Sequence, residues 1–393
     1  MPKSRRIILL VETSRASGRG LLLGISRYSH LYGPWTFYRI PLYYRELYKR
    51  KETTSDLRDW GPDGIIMSDT FYPTKVRRSR EIIKLGLPTI AIANEPNIPG
   101  VVNIIADNDR IGRMAAEHLL ERGFRYFAYC GFDDIFWSVE RGECFATRIR
   151  EAGCETQLYK RPKSKFKHLW KNEELFMSNW LKSLPKPLGL MACNDDRGQQ
   201  VIDACEVARL SVPDEVAIIA VDNDELVCGL TDPPLSSVNL NFERAGYQSA
   251  ELLDKIMAGK KTSGQSILIP ATHIATRLST DILATKDRDV ANALRFIRKH
   301  AKEPIRVSDV AEEATVSRRS LERHFRRVIG RSVHDQIRRV RIEQVVKMLL
   351  ETNLTVSKIA LSLGYPGVDH IAREFRREKG ISPMAYRKQY GQK

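Results

Sequence analysis

The stretch Arg323-His324-Phe325-Arg326-Arg327-Val328-Ile329-Gly330-Arg331-Ser332 returns fifty positions later as Arg373-Glu374-Phe375-Arg376-Arg377-Glu378-Lys379-Gly380-Ile381-Ser382. Both copies read R-x-F-R-R-x-x-G-x-S. The likeness extends upstream, where Val310-Ala311-x-x-Ala314-x-Val316 aligns with Ile359-Ala360-x-x-Leu363-x-Tyr365, and Leu321 with Ile371. Each copy therefore spells helix, turn, helix. Leu321 and Phe325, like Ile371 and Phe375, are four apart and share a buried face. Ala311 and Ala360 are small where the two helices cross. Gly330 and Gly380 stand where a left-handed residue ends a helix, and Ser317 is placed to cap the start of one. An internal repeat with an arginine-rich face in each copy suits two turns of a DNA groove.

A single basic amphipathic helix is usually only a solvated face. Charge distribution weighs against that reading. Residues 286–393 hold 25 Lys and Arg against 13 Asp and Glu, whereas the preceding 285 residues hold 39 against 35. Most of the formal net charge of +16 thus sits in the last quarter of the chain, which points to a polyanion partner for that segment.

Residues from about 288 to 390 resemble the AraC/XylS-type DNA-binding domain, two helix-turn-helix units joined by a long helix. The joining helix reads Arg341-Ile342-Glu343-Gln344-Val345-Val346-Lys347-Met348-Leu349-Leu350-Glu351-Thr352, and Gly364-Tyr365, Ser382-Pro383 and Tyr386-Arg387 follow as in that family. Val345, Thr315 and Ile371 depart from its Ala, Gly and aromatic residues. The resemblance implies that Arg318, Arg319, Glu322 and Arg323 face base edges in one major groove of double-stranded DNA. Val368, Asp369, Ala372 and Arg373 would face the next. Arg can take guanine bidentately, Glu can accept from cytosine, and small apolar groups can meet a thymine methyl. Arg326, Arg327, Arg376 and Arg377 are better placed on phosphates, which fix register without reading sequence.

The first 280 residues alternate short apolar strands with helical stretches. Strands are expected at Ile7–Val11, Trp35–Ile40, Gly64–Met67, Pro88–Ala93, Tyr126–Gly131, Leu188–Ala192 and Ala217–Val221. Helices are expected near Gly20–Tyr32, Asp109–Arg122, Arg141–Glu151 and Gly198–Ala208. Such alternation predicts an α/β architecture with parallel sheets, and the length fits two lobes better than one. Ligands of parallel sheets sit at the carboxyl ends of strands. That rule selects Glu12, Thr13 and Ser14, then Asp133 and Asp134, then Asn194, Asp195 and Asp196, then Asp222, Asn223 and Asp224. Carboxylates and amides at fixed spacing suit the vicinal hydroxyls of a sugar. Trp137 can stack on a pyranose face, and Arg141, one helical turn on, can bond its oxygens. Plain turn formers and N-caps are the ordinary alternative for Asp and Asn after strands.

This segment resembles the ligand-binding core of LacI/GalR-type repressors and periplasmic sugar-binding proteins, through Ala106-Asp107-Asn108-x-x-Ile111-Gly112-Arg113, Asn194-Asp195-Asp196, Val221-Asp222-Asn223 and Pro234-Leu235-Ser236-Ser237-Val238. The resemblance implies ligand positions at Arg141, Asn194 and Asp222, completed near Asp133. The first strand starts too early for the N-terminal helix-turn-helix of those repressors. A sugar-binding core followed by an AraC-type module is instead the layout of the xylose operon regulator family, which Trp137-Ser138-Val139-Glu140-Arg141 and Val221-Asp222-Asn223-Asp224-Glu225-Leu226 also resemble.

The expected organisation is a two-lobed, periplasmic-binding-protein-like effector domain over 1–280, a linker over 281–289, and an all-α DNA-binding domain over 290–393. The expected function is sugar-responsive transcription regulation by a homodimer, with xylose or another monosaccharide as effector and RNA polymerase as a further candidate partner. An α/β sugar-modifying enzyme with a basic nucleic-acid-binding tail is the alternative, disfavoured because no nucleophile–base pair or metal site is visible. Gly18-Arg19-Gly20 with Gly24 misses the dinucleotide spacing, and six Cys without a C-x-x-C speak against zinc, so no cofactor or metal is expected. The apolar run ending at Val11 is too short for a signal peptide or membrane span, so the expected compartment is the cytoplasm, with no membrane partner.

Overall fold

The computed structural model describes residues 4–39, 54–68, 81–92, 98, 100–161, 170–260, 266–282 and 287–391. Within them run two six-stranded sheets of the same construction. The first comprises β1 (Arg5–Leu10), β2 (Trp35–Tyr38), β3 (Gly64–Ser68), β4 (Thr89–Ile92), β5 (Val102–Ala106) and β11 (Ser266–Ile269), in the order β11-β5-β4-β3-β1-β2. The second comprises β6 (Tyr126–Cys130), β7 (Thr156–Leu158), β8 (Leu188–Ala192), β9 (Val216–Asp222), β10 (Ser236–Leu240) and β12 (Ala271–Ala275), in the order β12-β10-β9-β8-β6-β7. β1 pairs in parallel with β2 and β3, as β6 does with β7 and β8. The order in which strands are added reverses at β1 and at β6, and such a switch point opens a crevice for ligands. The central strands are continuous apolar runs because helices cover both faces of a parallel sheet, and every residue of β3 and β8 is buried.

Compact units divide the chain at other places than the sheets alone would suggest. One unit is Met1–Asn108, Asp133–Glu140 and Leu240–Ala271; the other is Asp109–Phe132, Arg141–Asn239 and Thr272–Lys393. In the first unit, α1 (Ala16–Tyr32) packs against a helix over Phe242–Met257 so closely that a Cβ on Gly24 would lie 1.9 Å from the Glu243 carbonyl oxygen. Glycine is required there for close approach. Around the second sheet lie α3 (Asn108–Leu120), α4 (Phe136–Glu151), α5 (Trp170–Ser183), α6 (Asp195–Ala208) and α7 (Glu225–Leu230), α2 (Thr54–Asp59) and the Phe242–Met257 helix, α8, belonging with the first. The expected helix at Arg141–Glu151 begins earlier, at Phe136, so Trp137 lies in its first turn. The strands at Trp35 and Pro88 are shorter than expected, and Ile40 and Ala93 lie outside the described residues.

Seven helices complete the second unit: α9 (Arg288–Lys299), α10 (Val307–Glu313), α11 (Arg318–Ile329), α12 (Val333–Glu351), α13 (Val356–Ser362), α14 (Val368–Lys379) and α15 (Pro383–Tyr390). The long α12 serves two cores. Val333, Ile337 and Val340 close the first, around Leu321 and Phe325. Ile342, Val345, Val346 and Leu349 close the second, around Ile371 and Phe375. The last residues of the expected linker are already structured: the Asp287 side chain accepts from the Val290 amide and caps α9, which Asp289 enters in its first turn. Residues 283–286 of that linker lie outside the described residues.

Candidate sugar site and nucleic-acid interface

At the carboxyl ends of the second sheet, β8 runs into Asn194, whose side chain accepts from the Arg197 amide at 3.0 Å and caps α6. Asp195 follows, 3 % exposed. Its two oxygens accept from the Ser237 hydroxyl and the Asp224 amide, both at 2.6 Å. Burial and the neighbouring Asp222 charge raise its carboxyl well above the ordinary range, against those two hydrogen bonds. Asp195 was expected to meet the ligand directly; with both oxygens engaged inside the protein, its geometry is that of a residue holding the β9 and β10 ends together.

Asp222 and Asn223, at the end of β9, have φ of 103° and 54°. Left-handed backbone at two successive non-glycine residues costs roughly 1–3 kcal/mol each and persists only where surroundings enforce it. The enforcement is visible. The Asn223 amide donates to the Ser237 hydroxyl at 3.0 Å, its side-chain amide donates to Asn239 at 3.1 Å, and its oxygen accepts from Arg277 at 2.8 Å. The turn therefore fixes the backbone that carries Asp222 at the carboxyl end of β9. Arg141 is 3 % exposed and donates to the Cys193 carbonyl, beside Asn194. Arg141, Asn194, Asp195 and Asp222 thus gather around the ends of β8 and β9. Asp133 is exposed after β6, and Trp137 is half-buried on α4.

Sequence reasoning missed Arg197, 1 % exposed beneath this end of the sheet. It pairs with Glu173 at 2.8 Å and lies under Phe132 and Tyr159, at 4.9 and 5.2 Å from their ring centres. The only signal was a charged residue three after the capping Asn194.

At the first sheet, Glu12 follows the end of β1 and accepts from the Ser14 amide at 2.8 Å. A polar cavity of about 500 Å³ is also present within the second unit, lined by residues of α3, β12 and α12. None of the six expected ligand residues lines it.

The two repeats form as their spacing implies. Ser317 caps α11, and Gly330 and Gly380 end α11 and α14 in left-handed conformation, φ 79° and 76°. Leu321, Phe325, Ile371 and Phe375 are fully buried. Arg318, Arg319, Arg323, Arg326, Arg327, Val368, Asp369, Arg373, Arg376 and Arg377 are exposed, and Ala372 is half-buried. Glu322 differs from its expected outward set: it turns back toward the start of α12, accepting from the Val333 amide at 3.4 Å, and pairs with Arg326 at 3.8 Å. His370, absent from the expected reading set, is exposed on α14 and bonded to Arg373 at 3.1 Å. Arg327 reaches Asp287 at 3.2 Å, and His324 lies 3.3 and 3.5 Å from Asp287 and Asp289.

Comparison with known proteins identifies both kinds of domain. The periplasmic binding protein-like domain family matches residues 116–280, and a helix-turn-helix domain family matches 310–389. The xylose operon regulatory protein of Haemophilus influenzae is 30 % identical over 344 residues, covering 85 % of this chain and 87 % of that protein. Its Escherichia coli K12 counterpart is 26 % identical over 393 residues, covering 98 % and 97 %. A solved structure described as that of a xylose-binding transcription activator is 26 % identical, covers all of both chains and superposes with a TM-score of 0.61. Two parallel α/β sheets, a helical module carrying two arginine-faced repeats, and end-to-end likeness to these relatives lead to one conclusion: the chain belongs to the family of xylose operon regulatory proteins, sugar-responsive transcription regulators.

Proposed function

We propose that D-xylose or a closely similar monosaccharide binds at the carboxyl ends of the strands of the second sheet, with Asp133, Trp137, Arg141, Asn194 and Asp222 as its contacts and Asp195 behind them. The strained Asp222–Asn223 turn carries this reading, because it holds an acidic residue in an enforced backbone at the carboxyl end of a parallel strand. Residues 1–280 form the effector part and 290–393 the DNA-binding part, joined through 281–289. A homodimer working in the cytoplasm presents two basic modules to promoter DNA, each occupying two successive major grooves, with RNA polymerase as a partner at the promoter. The bound sugar is an effector and is not turned over. Among the described residues no helix is long and apolar enough to cross a membrane.

A thermal-shift panel of pentoses and hexoses tests the effector. A sugar at about a hundred times its dissociation constant stabilises by roughly 2.7 kcal/mol, a shift of several degrees. Asp222→Asn abolishes the selective shift if the site is placed correctly; an unchanged shift overturns the placement, and conversion of the sugar overturns the regulator in favour of the enzyme.

A further inference from the structure

The chain passes between its two compact units at several joints, of which three lie at 108/109, 239/240 and 271/272. The last helix of the DNA-binding module meets the residues just past two of them. Arg110 donates to the Tyr390 hydroxyl at 2.6 Å and to the Tyr386 hydroxyl at 3.1 Å. Its guanidinium also lies 4.4 Å from the Tyr390 ring centre. The Tyr386 hydroxyl in turn donates to the Thr272 carbonyl at 2.9 Å. The third joint is tied to the same point, because Asn239 donates to the Thr272 hydroxyl at 2.8 Å and its carbonyl accepts from that hydroxyl at 3.1 Å. Two tyrosines one helical turn apart therefore touch or neighbour all three joints, although the first and last of them are separated by more than 160 residues in sequence.

The other end of this contact is a recognition helix. Tyr386 is 2 % exposed, and its ring stands edge-on to Phe375 with centroids 5.2 Å apart. Phe375 is the buried anchor of α14, on the core side of a helix whose exposed side carries Arg373 and Arg376. Arg387 fastens α15 to the end of α12 by bonds to the Leu349 and Thr352 carbonyls at 2.9 and 3.3 Å. Rings packed in a dense core transmit displacement with little give. Elsewhere the module meets the second sheet's helices through long side chains, such as Arg339 with Glu117 at 2.8 Å and Arg331 with Glu121 at 3.6 Å, beside the 500 Å³ cavity. Tyr386 differs from those contacts, because it is bonded to the Thr272 carbonyl and packed on Phe375, with the Tyr390 ring 4.5 Å from its own.

We infer that Tyr386 and Tyr390 are positioning residues that tie the chain at these joints to α14, the second recognition helix, and re-aim it when an effector binds. This rests on the sugar-effector reading above. The effector must bind the two arrangements unequally for any signal to pass, and the coupling so produced is reciprocal. DNA then alters sugar affinity by the same factor as sugar alters DNA affinity.

The test uses full-length protein, D-xylose, and the duplex that the wild type enriches from a random-sequence pool. Calorimetry gives the D-xylose affinity with and without that duplex, and their ratio is the coupling factor, of the order of 5–150-fold in such systems. Tyr386→Phe keeps the ring on Phe375 and removes only the hydroxyl; Arg110→Gln removes the charge from the other side. Each is expected to leave sugar affinity without DNA, and melting temperature, near wild type while lowering the coupling factor by about fivefold, the factor one net hydrogen bond corresponds to. Wild-type coupling that persists undiminished in both variants overturns the inference alone. A wild type whose D-xylose binding is absent, or indifferent to the duplex, overturns the reading beneath it as well.

Discussion

Thr315 and Gly364 occupy the same position in the two repeats, and both are left-handed, with φ of 55° and 64°. Exchanging them gives two shifts of opposite sign. Left-handed backbone costs a residue with a Cβ roughly 1–2 kcal/mol, and a branched side chain lies toward the upper end. Thr315→Gly removes that strain but gives the unfolded chain extra freedom worth about 0.4–1 kcal/mol. The Thr315 hydroxyl donates only to the adjacent Ala314 carbonyl at 2.8 Å, a local bond that water can replace. The net expectation is a gain of about 0.5–1 kcal/mol. Gly364→Thr takes on the same strain, and its new Cβ would lie 3.1 and 3.3 Å from Pro304 side-chain carbons. Crowding at that distance removes most of the entropic compensation, leaving a loss of about 1–2 kcal/mol. All five tryptophans precede residue 181, so fluorescence does not see this module. Amide exchange does. Slow amides of α10 and α11 should exchange about 2- to 5-fold more slowly in Thr315→Gly, and those of α13 and α14 about 5- to 30-fold faster in Gly364→Thr. Equal or same-signed shifts would refute the claim that backbone strain distinguishes the two turns.

Arg323→Ala is expected to relax base preference at one operator position by about 1–3 kcal/mol, whereas Arg327→Ala weakens all duplexes alike and flattens the salt slope; equal losses on selected and scrambled DNA for both would defeat that division. Glu322→Ala should lower the stability of α11 against α12 and leave base preference unchanged, since its carboxylate faces Val333 and Arg326; a changed preference at a cytosine would restore it to the reading set. Asp195→Asn keeps both hydrogen bonds, its oxygen accepting from Asp224 and its amide donating to Ser237. Because the native Asp195 carboxyl is raised above 3.8 by burial and Asp222, the wild type loses stability as pH rises from that value through the native pKa. The variant should match it in acid and exceed it at neutral pH, as measured by urea midpoints across pH; a gap independent of pH would show that the carboxylate carries no penalty.

Much of this architecture was legible because local pattern and final fold agree. Phe325 and Phe375, with the glycines five residues on, specify the same helix end twice, and the joining helix between them has to be long. Apolar runs such as Leu188–Ala192 coincide with their strands because parallel strands are buried on both faces. What failed was non-local. Val102–Ala106 is an edge of the local pattern until Ser266–Ile269 returns to pair with it, and no periodicity links the two. Asp195 looks like any carboxylate after a strand; that its oxygens are taken by Asp224 and Ser237 depends on a turn and a strand end up to 42 residues away. Glu322 lies on the outward arc of its helix by spacing alone, yet the unpaired amides that open α12 are near enough to draw it inward. The start of α4 was hidden by Phe136, Trp137 and Val139, residues with modest helix propensity.

The passage from sensor to reader is short and fastened at both ends, which limits how a signal can travel. Thr280 is fully buried: its hydroxyl contacts His118 and Ser236 at 2.8 and 2.7 Å, and Arg122 donates to its carbonyl at 2.7 Å. The His118 imidazole is pushed well below its ordinary pKa by burial and by Arg122, so it holds Thr280 as a neutral ring. Asp287 is fixed in its turn by the Val290 amide and Arg327. Seven residue steps between those anchors span at most about 25 Å when extended. On such a tether the DNA-binding module experiences a high effective concentration of its docking surface, and separation over long distances is excluded. On the coupling inferred above, control acts on the angle at which α11 and α14 are offered to DNA. A change of angle is also what the rigid contact from Thr272 through Tyr386 to Phe375 is built to pass on, whereas a flexible linker would absorb it.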